Sequence, residues 1–250
     1  MRPEGASPPL VAIFLLSATA LAYEVLLVRL FSIIHWHHFA FMIISLALLG
    51  YGVSGSLITL FRQLCLRRYG GLMFINVLLF GISAIGVFLI VQRMPFNALE
   101  ILWDSSQWLR LFLTYLLLSL PFLFVANSIA MTMLRFDADI GRIYGADLIG
   151  AGAGAIAIML LLSLFEPQTI LRLLSLAGLA AGLLVLRMSG RRSLSAAMLG
   201  AAALLVMLLP SPWLELRLSE YKGLEQTLLV DGVGILDSHT SPVSRIDVVE

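Results

Sequence analysis

Glu24 is the side chain that most demands a chemical explanation. It stands in the apolar stretch Ala22-Tyr23-Glu24-Val25-Leu26-Leu27-Val28-Arg29. An ionised side chain at the centre of a bilayer costs on the order of 3 kcal/mol unless it is paired, so an acid there either works or is satisfied by a neighbour. The working chemistry would be a proton or cation relay. The preferred alternative is a structural carboxylate, hydrogen-bonded between helices. Arg29 is five residues on, about 140° around a helix, so the two do not stack as an i,i+4 pair. Glu24 is therefore expected to meet a polar group of another segment, with Asn76, Asn127, Ser128 and Asp147 as candidates.

The other chemistry-bearing residues are sparser. His35-Trp36-His37-His38 places His35 and His38 at i,i+3, a spacing open to a metal or haem. With no carboxylate or further His near in sequence, a membrane-interface belt of Trp and His is the preferred account. Cys65 is the one cysteine, which excludes an internal disulfide and any cysteine-rich metal site. Gly150, Gly152 and Gly154 lie in an apolar helical run with no strand before them, so they make no nucleotide loop. The only lysine, Lys222, lies outside the apolar segments, which excludes a retinal Schiff base. His239 and Ser241 are neighbours that nothing orients. No catalytic, cofactor-binding or metal-ligating set is assigned within the chain.

These residues need helices to position them. The 250 residues are 60% hydrophobic and 12% charged, with a mean hydropathy of +0.99, far from the composition of soluble domains. Apolar runs long enough to cross a core of roughly 30 Å lie near 10–33, 39–61, 71–92, 108–134, 145–165, 168–187 and 193–210. Seven such runs in one soluble core would leave too little polar surface to cover it. The expected fold is an all-α polytopic membrane bundle of about seven helices over 1–210, with a short β-hairpin-like soluble tail over 211–250. The first run holds Glu24 and Arg29 and ends at no small-residue cleavage site, so it reads as a retained helix. Ala146, Gly150 and Gly154 recur at i,i+4, as do Gly178 with Gly182 and Gly52 with Ser56, the small-xxx-small spacing of close helix packing.

Arg62, Arg67, Arg68, Arg135, Arg142, Arg187, Arg191 and Arg192 follow the second, fourth and sixth runs. By the positive-inside bias, the N-terminus and these connections face the cytoplasm of a plasma or inner membrane. Seven crossings then put the tail outside. Net charge is +1, which gives no argument for nucleic acid. The bilayer is the expected partner, and a homo-oligomer is left open. A small transporter or channel, with Glu24, Asn127 and Asp147 along a polar path, stands as the alternative function. Pro121 and the glycines of the fifth run would then mark broken helices.

In the tail, Gly234 to His239 and Arg245 to Glu250 read as two short strands around Thr240-Ser241-Pro242. A lone hairpin is marginal in water, so these strands are expected to open a larger soluble domain. Ala22-Tyr23-Glu24-Val25 through Arg29-Leu30-Phe31-Ser32, then His38-Phe39-Ala40-Phe41 and Ser45-Leu46-Ala47-Leu48-Leu49-Gly50, resemble the first two helices of membrane-anchored spermidine-synthase-like proteins. Ile143-Tyr144-Gly145-Ala146-Asp147-Leu148-Ile149-Gly150-Ala151 resembles a later helix start of that family. Tyr221-Lys222-Gly223-Leu224, Ser241-Pro242 and Arg245 to Glu250 resemble the strands leading into its aminopropyltransferase-like domain. The resemblance implies a Rossmann-like domain that binds S-adenosylmethionine or its decarboxylated form. Its Gly-rich loop, ribose-binding acid and catalytic acid would lie beyond Glu250, so no aminopropyl or methyl transfer is assigned to these 250 residues. A nucleotide-using domain is expected in the cytoplasm, which conflicts with an external tail.

Overall fold

A computed structural model describes residues 7–34, 38–94, 103–186, 192–215, 235–240 and 245–249. Apolar runs become helices because a helix satisfies every backbone N–H and C=O internally, which lipid requires. The described helices are α1 (Leu10–Ile34), α2 (His38–Leu60), α3 (Arg62–Arg67), α4 (Tyr69–Val91), α5 (Ser106–Arg135), α6 (Ile140–Leu164), α7 (Pro167–Val185), α8 (Arg192–Leu208) and α9 (Ser211–Leu214). Six of these, α1, α2, α4, α5, α6 and α7, are long and apolar enough to cross a membrane. The seventh expected span is shorter than anticipated. Its helix, α8, has 17 residues, since Pro210 cannot continue it. The count of seven is corrected to six membrane-length helices plus one shorter apolar helix.

α1 is the hub of the bundle. It packs most extensively on α6 and also meets α7, α2 and α5. Ile13, Leu16, Tyr23, Leu26, Leu27 and Leu30 are wholly buried around it. The contact with α6 is set by two glycines: a Cβ at Gly150 or Gly154 would fall on the backbone of Phe14 or Ala18 respectively. Such an approach brings backbone to backbone, where dispersion is dense. On the far side of α6, Ile149 and Ile156 are each 68% exposed. An apolar face of that kind suits lipid and would be a liability in water.

The same device recurs between α4 and α7. A Cβ on Gly81 would lie 2.6 Å from the Leu179 side chain, and one on Gly178 2.9 Å from the Phe80 ring. Ser175 in α7 donates its hydroxyl to the Gly81 carbonyl at 2.5 Å. Gly182 gives room to Leu199 of α8. By contrast, Gly52 meets nothing within 4 Å among the described residues, and Ser56 is exposed and bonds back to the Gly52 carbonyl at 3.3 Å. The Gly52–Ser56 spacing faces outward.

α5 runs unbroken through Pro121, and α6 through Gly150 to Gly154, so neither is a broken helix. Gly50 lies so close to α5 that an added Cβ would sit 2.8 Å from both the Phe122 Cβ and the Ser119 carbonyl oxygen. Beyond α9, β1 (Ile235–Thr240) pairs antiparallel with β2 (Arg245–Val249), Ile235 opposite Val249 and Thr240 opposite Arg245.

α5 starts under a local clamp. Asp104 accepts hydrogen bonds from the Ser106 hydroxyl (2.7 Å), the Ser106 amide (2.9 Å) and the Gln107 side chain (3.1 Å). The Ser106 bonds hold its carboxyl below the usual carboxylate range. A depressed acid stabilises the fold above its ordinary value and loses that contribution as pH falls through the depressed one. The protection factor of the Ser106 amide is therefore expected to fall on acidification. In Asp104→Ala it should be low and pH-independent, and an equal pH response in that variant would reject the clamp.

Gly154→Ala should cost about 1–3 kcal/mol through overpacking against Ala18. Gly152→Ala, with nothing within 4 Å, should be neutral or gain up to about 1 kcal/mol of helix propensity. Unfolding in mixed detergent micelles measures both, and equal effects would contradict the α1–α6 contact.

Candidate functional site

The polar side chains of the apolar helices gather in three places. The first joins α1 and α6: the Ser17 hydroxyl donates to the Asp147 carboxylate, and Glu24 lies two turns further along α1. The second joins α2, α5 and α4: Ser54 donates to Asn127 at 2.7 Å, and Asn127 donates to Asn76 at 3.5 Å. Asn76 in turn bonds the Leu72 carbonyl at 2.8 Å. The third lies at the start of α4, where Tyr69 and Thr132 hydroxyls meet at 2.9 Å. Arg135 stacks 5.2 Å above the Tyr69 ring and donates to the Leu66 carbonyl at 3.1 Å.

Asp147 thus belongs to one cluster and Asn127 to the next, and among the described residues Glu24 makes no hydrogen bond to Asn76, Asn127, Ser128 or Asp147. Ser128 is spent on the Phe124 carbonyl at 3.0 Å. Arg29 is buried near the end of α1. His38 opens α2, but its side chain, like His35, Trp36 and His37, lies outside the described residues. Among the described residues no group of three or more His, Cys, Asp or Glu side chains could hold a metal ion. Cys65 is buried in α3, and burial pushes its thiol up, which disfavours the reactive thiolate.

Sequence reasoning missed Ser17 and Ser54. Ser17 carried a usable signal, since it precedes Glu24 by seven residues and so shares its helix face.

The two ends of the bundle differ in charge. Arg62, Arg67, Arg68, Arg135, Arg142 and Arg192 lie at the end where α2, α5 and α7 finish. The opposite end, where α4, α6 and α8 finish, carries Arg93, Arg110 and Arg172 with Asp104, Glu166 and Glu215.

Comparison with known proteins found no matching family model, no matching curated protein and no matching solved structure.

Proposed function

We propose that this chain is the membrane domain of a spermidine-synthase-like protein, anchoring or regulating a soluble transferase domain that uses S-adenosylmethionine or its decarboxylated form. One observation carries the reading: the residues of the resemblance are spent on helix packing. Asp147 is tied to Ser17, Gly150 is seated on Phe14, and Gly50 is seated on α5. A shared motif that builds a scaffold fits an anchor. The paired strands at 235–249 are taken as the opening strands of the soluble domain, which would hold any cofactor.

The seventh crossing belongs to the same proposal. α8 follows the arginine-rich connection at Arg192, and Arg172 near the start of α7 donates to the Leu209 carbonyl at 2.7 Å. This contact favours α8 running the full height of the bundle. At 1.5 Å per residue, its length of roughly 25 Å is just enough for a thin hydrocarbon core. With the arginine-rich end in the cytoplasm of the plasma or inner membrane, the strands are then external.

Reporter fusions after Arg68, Arg192 and Glu250 test this topology. Arg68 and Arg192 should report cytoplasm and Glu250 the opposite side; a common side for Arg192 and Glu250 would remove the crossing. The genomic reading frame tests the family assignment. It should continue past Glu250 into a Gly-rich strand–loop–helix segment, and a stop codon there would sink the assignment.

A second reading, proton- or cation-coupled transport, is favoured by the acid Glu24 within a span and by the Ser17–Asp147 and Ser54–Asn127 hydrogen bonds between spans. Glu24→Gln should then abolish pH-dependent uptake into proteoliposomes without loss of folded protein. An anchor would be indifferent to that change.

A further inference from the structure

The corner where α8 passes into α9 is strapped onto the bundle by side chains from two other helical segments. Gln92, just past α4, donates its amide to the Trp213 carbonyl at 2.8 Å. The Arg93 guanidinium lies 5.0 Å over the Trp213 ring, and Arg172 holds the Leu209 carbonyl. Leu214 is buried as a result. Between this corner and the first turns of α7 lies a cavity of about 190 Å³, lined by Glu166, Gln168, Thr169, Arg172, Leu214 and Glu215.

The lining is rich in acceptors. It holds two carboxylates and the Gln168 side-chain oxygen, which is buried and has no hydrogen-bond partner among the described residues. An unsatisfied buried acceptor costs about 1–3 kcal/mol, and a ligand that relieves it must bring an N–H or O–H donor. Two acids against one arginine favour a cationic group. Glu166 sits at the N-cap of α7 yet makes no capping hydrogen bond, so its carboxylate is not consumed by the helix.

Thr169 and Arg172, beside the N-terminal turn of a 19-residue helix, supply what a phosphate needs. The volume is below the roughly 300 Å³ of drug-sized pockets, which suits a small polar headgroup. The site also lies at the bundle boundary beside Trp213, half exposed where interfacial aromatics sit.

We propose that this pocket binds a phosphoethanolamine group. Its primary ammonium has three donors for Glu166, Glu215 and the Gln168 oxygen, and its phosphate faces Thr169 and Arg172. The group can come from a phosphatidylethanolamine headgroup or from free phosphoethanolamine. A choline headgroup has the charge but no N–H, and a glycerol headgroup has the donors without the cation.

The test uses the purified, delipidated protein in detergent, with binding read by native mass spectrometry and thermal shift. Short-chain phosphatidylethanolamine should bind in preference to phosphatidylcholine and phosphatidylglycerol. Glu166→Gln and Glu215→Gln should each weaken it about tenfold, the scale of one charge-assisted hydrogen bond. Gln168→Glu, which keeps the side-chain shape and adds a charge, should tighten it, and serves should either neutral variant lose its fold. A shift with free phosphoethanolamine as large as with the lipid assigns the site to a soluble amine; a shift with lipid alone assigns it to the headgroup. Equal binding of ethanolamine and choline lipids, or unchanged binding in all three variants, would overturn the proposal.

Discussion

Gly150 and Gly154 let α6 approach α1 until the second backbone occupies the space a side chain would fill. Much else in the bundle depends on that approach, because α1 is the helix on which α2, α5, α6 and α7 converge. In lipid there is no hydrophobic force between helices, since acyl chains are as apolar as leucine. Close surfaces must therefore come from small residues. The chain uses them at α1–α6, at α4–α7 and, through Gly50, at α2–α5, and the α4–α7 contact adds a hydroxyl on the Gly81 carbonyl. The α1–α6 contact fixes the height at which Ser17 meets Asp147.

Polar groups in the spans follow from the same solvent. Ser17 serves Asp147, Ser54 serves Asn127, and Tyr69 serves Thr132, each pair joining two helices. Each bond costs little to keep and much to lose where water cannot replace it. A scaffold needs nothing more.

The two ends of the bundle have separate characters. One is arginine-rich and carries the short α3 with its buried Cys65. The other holds Asp104, Glu166 and Glu215, and there the chain leaves the last helix along a strap of three contacts rather than on a loose linker. Whatever the residues after α9 do, their departure point is tied to α4 and α7.

Much of this was legible in the residues alone. Runs of apolar residues bounded by arginines, Gly and Pro define helices in lipid, because no other open structure satisfies the backbone there. The i,i+4 glycines marked a packing face on α6, and Glu24 and Asp147 stood out as acids among hydrocarbons. Spacing, however, names a face and not its partner. Gly52 with Ser56 has the same signature as Gly150 with Gly154, yet it looks outward while the other pair meets α1. Asp147 and its partner Ser17 are 130 positions apart, and the pocket brings residues 166–172 of the α7 start together with 214–215. Only the tertiary structure could decide them, since such contacts depend on how whole helices pack.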